Sequence, residues 1–241
     1  MYEQLKAGII YRGPSLIDGN EIVVIATLSG RNRKTGEMVQ TYILRTDMKP
    51  NEASRTRADF SICGACPMAG VADPSPDAYQ AEGRSCYVEL WQGVRMIWVG
   101  FENGVYPMLT DPDEIAALGA NRVVRVGSYG DGAAAPFDKC WQPLLRDAES
   151  WTAYSHQWGT APVEPSVYMI SCESRSQAEQ HWDMGHRTFR MLRPGEELAA
   201  NEIECPAPRV QCRDCKLCRG NSIAAKSIAI RVHGSRARHF A

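Results

Sequence analysis

The residues in this chain best suited to chemistry are its cysteines. Four of them, Cys205, Cys212, Cys215 and Cys218, fall within fourteen residues, with Pro206 directly after the first. Two C-x2-C steps sharing Cys215 put three thiols in one tight loop, and Cys205 supplies a fourth from upstream. A thiolate-only set is a soft site that suits an iron-sulfur cluster or zinc and rejects hard cations. The C-x2-C-x2-C run with a separate Cys-Pro is closer to the ferredoxin way of holding a 4Fe-4S cubane than to zinc knuckles, so iron-sulfur ranks ahead of zinc. The polar Arg213, Asp214 and Lys216 between the thiols argue against cysteines that merely fill a core.

A second group lies in the first half. Cys63 and Cys66 form a C-x2-C step closed by Pro67, with backbone room at Gly64, and Cys86 follows after a loop. Three thiolates leave one coordination position open, the condition for a reactive metal site. The same three also suit a structural zinc completed by Cys140, Cys172 or a histidine. Cys140 falls in an expected helix, buried and inert, and Cys172 at a strand end near the site.

These thiols need elements to hold them. Residues 21–29 and 38–46 are β-branched and aromatic runs around a polar turn, which predicts a β-hairpin. Arg31, Arg33 and Lys34 in that turn suit solvation first and a phosphate second. Residues 89–103 carry Trp91, Val94, Trp98 and Phe101 at helical spacing, as core positions. A short helix is expected after Asp111, strands at 121–127, 151–158, 167–172, 186–192 and 225–234, and helices at 137–148 and 176–184. Strands alternating with helices predict a parallel sheet, here an incomplete, open barrel. The expected organisation is an N-terminal hairpin region, residues 1–60, and an α/β metal-binding region, 61–241, together one compact unit.

Sites in such folds lie past the carboxyl ends of the strands. That rule collects Ser128, Asp131, His156, Gln157, Cys172, Glu173, Arg190 and His233 along one rim. Asp131 and His156 are the candidate proton-handling pair. Each has a structural alternative, a turn-forming aspartate and a hydrogen-bonded core histidine.

The chain has 241 residues, 44% of them hydrophobic, with a formal net charge of -1. That balance gives no general drive toward nucleic acid or membrane. Nucleic acid would have to be met through a local patch such as Arg231, His233, Arg236, Arg238 and His239. No run is long and apolar enough to span a bilayer, and nine cysteines grouped in C-x2-C units point to metal in a reducing compartment. A cytoplasmic protein is expected. No Walker, Rossmann, HExxH or GxSxG motif is present.

The stretches around Cys63 and Cys66, Cys86 to Val88, Val124 to Asp131, Tyr154 to Trp158, His186 to Arg190, Cys205 to Cys218 and Lys226 to Ile230 together resemble a family of small cysteine-rich bacteriophage proteins with no settled activity. The resemblance implies viral origin and a life in the host cytosol. A more distant resemblance is to the radical S-adenosylmethionine (SAM) superfamily. There three cysteines after the first barrel strand hold a four-iron cluster that binds SAM, a glycine-rich segment touches the cofactor, and many members carry an auxiliary cluster. By position, Cys63, Cys66 and Cys86 stand for the first set, Gly127, Ser128, Gly130 and Asp131 for the glycine-rich segment, and the four later cysteines for the auxiliary cluster. The spacing departs from the family's C-x3-C-x2-C, since nineteen residues separate Cys66 from Cys86. Two functions follow: an iron-sulfur, radical-SAM-like redox enzyme, or a non-enzymatic protein that uses zinc or clusters to fix loops that bind a host protein or nucleic acid.

Overall fold

The first three strands, β1 (Ala7–Pro14), β2 (Glu21–Ser29) and β3 (Met38–Arg45), form an antiparallel meander. The computed structural model describes residues 5–29 and 34–233. Ile22, Val23, Val24, Ile25 and Ala26 are buried in succession, because β2 is covered on both faces. The β2–β3 pairing is the hairpin expected from sequence, in register from Ser29 opposite Met38 to Ile22 opposite Arg45. Its turn residues Arg31 and Arg33 lie outside the described residues, as do Arg236, Arg238 and His239.

β1 was not expected, and its composition explains why. It holds Gly8, Gly13 and Pro14 and slips register between Ile9 and Tyr11, so it lacks a clean alternation. Gly8 is required there: a Cβ would meet the Leu109 side chain at 2.7 Å, where the chain pairs Ile9 with the segment Pro107–Leu109.

From β3 the chain passes through α1 (Pro50–Thr56), α2 (Phe60–Cys63), α3 (Gly93–Glu102) and α4 (Pro112–Gly119) to β4 (Val123–Tyr129). Asp111 caps α4 by accepting the Asp113 N–H at 2.9 Å. Val94 and Trp98 of α3 are buried as expected, whereas Trp91 precedes the helix and is exposed. The expected helix at 137–148 is instead a π-type turn, Phe137–Trp141, running into the short α5 (Gln142–Leu145).

β5 (Ser150–Thr152) and β6 (Tyr154–Ser155) are separated by Ala153 alone. β5 lies beside β4 in the first sheet, ordered β1-β2-β3-β4-β5, and β6 opens the second, ordered β6-β7-β8-β10-β9. The backbone groups of Ala153 go to the Cys218 carbonyl and the Met169 N–H, both at 3.0 Å. The remaining elements are β7 (Met169–Cys172), α6 (Arg175–Asp183), β8 (Thr188–Leu192), β9 (Glu202–Glu204), α7 (Cys212–Cys215) and β10 (Ser227–Arg231). All pairings from β3 onward are parallel. The fold is mixed α/β, with two sheets of described strands and no closed barrel. The strand expected at 151–158 stops at Ser155, because the next N–H, that of His156, goes to the Asp131 carboxylate at 2.8 Å instead of a neighbouring strand. β9, at three residues, is too short to leave a periodic signal.

Candidate metal centres

Cys63 closes α2 and Cys66 follows one turn later, its N–H donating to the Cys63 carbonyl at 3.2 Å. Between them Gly64 takes φ 52°, ψ −139°, and a Cβ there would lie 2.0 Å from Gln157 Oε1. Only glycine fits. Gln157 donates to the Cys63 carbonyl at 2.9 Å and accepts from the Ala65 N–H at 3.3 Å, so one amide fixes the loop. The chain then makes an excursion, bridged where Val71 faces Glu82, and returns to place the Ser85 and Cys86 N–H groups on the Met68 carbonyl, each at 3.1 Å. Burial pushes the Cys63 thiol well above the ordinary range, and Asp59, Cys66 and Cys86 push it further while Arg84 opposes. The three thiols therefore sense one another. Cys86 is raised by burial, again opposed by Arg84.

His156 joins this group. Its side chain is 17% exposed and its Nε2 stands 3.0 Å from Glu173 Oε1. Burial pulls its pKa down, but hydrogen bonds to Cys66 and Glu173 win and raise it well above the ordinary imidazole value. Asp131 sits behind it. Its carboxylate accepts the Ala133 N–H at 3.0 Å and the His156 N–H at 2.8 Å, with burial raising its pKa. Asp131 thus positions His156 through the backbone.

The rest of the glycine-rich segment is occupied by packing. The Gly127 N–H donates to Thr41 Oγ1 at 2.9 Å, and Ser128 Oγ donates to Gln40 Oε1 at 2.7 Å. Gly130, at φ 84°, presses against Ile43. None of Gly127, Ser128, Gly130 or Asp131 lines the large cavity described below.

The later group is built from backbone contacts. The Cys205 N–H bonds the Ala229 carbonyl at 2.7 Å as β9 ends, and α7 is a single turn closed by Lys216 in the left-handed region, φ 55°. The loop docks on the start of β3's approach: the Cys212 N–H donates to the Lys34 carbonyl at 3.2 Å and the Arg213 N–H to the Thr35 carbonyl at 3.0 Å. Arg187, which sequence reasoning missed, staples the far side. Its buried guanidinium donates to the carbonyls of Leu217, Gly220, Ala225 and Lys226 at 2.7–2.9 Å. Nothing in its local sequence marks it. Burial pushes the Cys218 thiol up to about 12, eased by a hydrogen bond from Tyr154 and reinforced by Cys205, Cys212 and Cys215. Cys212 is raised by burial, with Arg125 and Lys34 among the opposing charges.

A cavity of about 460 Å³ lies against the parallel strands, and Cys86 and all four later cysteines line it. His156, Cys172 and His233 also face it. That volume suits a small organic ligand. His233 stacks on Tyr87 with ring centroids 5.3 Å apart and meets Lys34 Nζ at 3.0 Å. Glu173 faces it too, whereas Arg190 is buried in an ion pair with Glu202 at 2.7 Å. Cys140 is fully buried in the core and raised by burial alone. Cys172, pushed up to about 12 by burial, stays on the cavity wall with its thiol toward the Ile170 carbonyl.

Among the described residues no three His, Cys, Asp or Glu side chains stand close enough to hold a single metal ion as they are placed. The donor chemistry fits a soft metal, since both groups offer free thiols. No helix among the described residues is long and apolar enough to cross a membrane. No family model, curated protein or solved structure matches the chain.

Proposed function

We propose that this chain is an iron-sulfur protein, a phage-encoded redox enzyme of the radical-SAM kind working in the host cytoplasm. Cys63, Cys66 and Cys86 would hold a 4Fe-4S cluster with one open position, and Cys205, Cys212, Cys215 and Cys218 a second, closed one. The observation that carries the reading is that Cys86 of the first group and all four cysteines of the second border one cavity against parallel strands. Those strands, from β3 to β9, are read as the wall of an open barrel. A bound cluster supplies a low-potential electron that no side chain can deliver.

The protein's own residues have distinct parts. The apolar strand faces exclude water from the cavity, and His156, held by Asp131 through its backbone and by Glu173 at Nε2, is the proton-handling side chain. SAM is the small-molecule partner implied, with the substrate in the same cavity. Gly127, Ser128, Gly130 and Asp131 act by shaping the wall behind it.

The test is anaerobic purification of the full chain with iron, sulfide and zinc analysis, beside a Cys212→Ala, Cys215→Ala variant. Broad visible absorbance, about halved in the variant, together with reductant-dependent consumption of SAM, is the expected result. A colourless protein with stoichiometric zinc would overturn it.

One observation favours a second reading. His156, which neighbours Cys66, would with Cys63, Cys66 and Cys86 make up a Cys3His donor set, the composition of a structural zinc site. Zinc would then fix loops that bind a host protein or nucleic acid, with Lys34 and Arg231 among the phosphate contacts.

A further inference from the structure

We infer that His181 and His186 form an acid-sensitive latch, which holds the turn of Gln157 and Trp158 against the C-terminal end of α6 while both rings are neutral and releases it when they take up protons. The inference needs no metal at the cysteines.

The two histidines bracket the end of the helix. His181 lies in the last turn of α6, His186 follows before β8, and the His186 N–H donates to the His181 carbonyl at 2.9 Å. That bond brings the ring centroids to 5.9 Å. Trp158 covers both rings, 4.2 Å from His186 and, edge-on, 5.8 Å from His181. The same indole packs on Ile170, Cys172 and Ala178, so it is the surface through which the turn rests on β7 and α6.

Nδ1 of each ring is buried and has no hydrogen-bond partner. A neutral imidazole accommodates this, because the tautomer with its proton on Nε2 leaves Nδ1 as a bare acceptor. An imidazolium carries N–H on both nitrogens and would bury a charged donor without an acceptor. Two such rings at 5.9 Å also repel each other. Among the described residues no carboxylate forms an ion pair with either ring. On the elements around them, Arg175 and Glu179 pair with each other, Glu173 pairs with His156, and Arg190 pairs with Glu202. The Arg187 guanidinium is bonded to carbonyls, Glu164 accepts from Ser166, and burial keeps Cys172 a neutral thiol. Asp183, the remaining acid of α6, is exposed. Burial accordingly lowers both imidazole pKa values, and His186 lowers that of His181 further. A released ring binds its proton before a latched one does. The latch is therefore complete above the ordinary imidazole value, about 6.5, and is lost as pH falls through the lower latched values.

The consequence lies one residue from Trp158. The Gln157 carbonyl closes the turn by accepting the N–H groups of Thr160 and Ala161 at 3.0 and 3.1 Å, while the Gln157 amide fixes the loop at Cys63 and Ala65. A turn freed from α6 loosens the support of that loop.

The experiment uses the full chain as wild type, His181→Gln, His186→Gln and the double variant, with circular dichroism to check folding. Hydrogen exchange across residues 157–161, corrected for the intrinsic effect of pH, is expected to speed up about tenfold in the wild type between pH 7.5 and 5.5, the response to one proton site shifted by about one unit. In the double variant it should not depend on pH. An NMR titration of the five histidines in the wild type, with His181 and His186 assigned from the single variants, should place both midpoints below about 6.5. A midpoint at or above that value for either ring overturns the inference, and this reading stands even if the double variant does not fold. So does an acid response of the turn that persists in a folded double variant. Low midpoints with a turn that acid leaves unmoved would mean that the rings titrate in place, and the latch falls.

Discussion

The two cysteine groups share a ligand type and differ in everything around it. Cys63, Cys66 and Cys86 are assembled across the chain by side chains, chiefly Gln157, and their neighbours include Asp59, Arg84 and His156. Cys205, Cys212, Cys215 and Cys218 are assembled locally by backbone bonds and the Arg187 staple, and their neighbours are Lys34 and Arg125. The difference teaches that the later group is framed by its own loop and the strands beside it, whereas the earlier one depends on contacts with distant segments.

The largest break in this comparison comes from the strand that delivers Cys205. Arg190 and Glu202, both nearly inaccessible, make paired bonds of 2.8 and 2.7 Å between β8 and β9. Glu202→Gln leaves the buried guanidinium only the partly exposed Glu196, at 3.3 Å, and is expected to cost about 3 kcal/mol in urea unfolding. The pair also sets an acid limit. Burial alone would raise the Glu202 pKa, yet Arg190 and the Ala199 N–H lower it on balance. Its stabilisation is therefore fully present above the unfolded value, about 4.3, and is lost as pH falls through the lower folded value. Stability measured from pH 6 to pH 2 should fall less steeply in Glu202→Gln; parallel curves would remove the pair from the account.

Arg187→Met should do nearly as much, about 3 kcal/mol, by leaving four carbonyls without their donor. Its sharper readout is selective: metal should leave the later group and stay at Cys63, Cys66 and Cys86. Loss from both groups equally would mean that the two are one cooperative unit.

How much of this was legible in the sequence divides along the same line. The later cysteines announce themselves because their ligands are neighbours in the chain, and β2, β3, β4, β7, β8 and β10 do so because β-branched runs mark them. What depends on distant partners was not legible. Arg187 and Arg125 look like ordinary strand arginines until the loop carbonyls and thiols are placed beside them. Asp131 reads as a proton carrier in Gly-Asp-Gly, yet its oxygens are taken by backbone N–H groups of residues two and twenty-five positions away. The break at Ala153, which divides one stretch between two sheets, has its N–H on the loop carbonyl of Cys218 and no signature in an alanine.

The earlier group is tested by Gly64→Ala. A methyl group there meets Gln157 Oε1 at 2.0 Å on a backbone at φ 52°, so a cost of about 2–3 kcal/mol is expected, with metal lost from Cys63, Cys66 and Cys86 first. Adding Gln157→Ala should recover the part due to the clash but not the part due to backbone conformation. Full recovery would show that φ at this position is not strained for alanine.

The smallest expected effect is the most discriminating for the later group. Tyr154 hydrogen-bonds Cys218, while its ring packs on Phe189 with centroids 4.4 Å apart. Tyr154→Phe removes the donor and keeps the ring, so unfolding should shift by about 1 kcal/mol or less. The hydroxyl matters more once the sulfur is charged, since a hydrogen bond to an ionised acceptor is roughly twice as strong as one to a neutral group. Cobalt affinity should therefore drop severalfold while the stability of the metal-free protein barely moves. An equal loss in both would mean that Tyr154 supports the sheet beside Ala153 and not the sulfur.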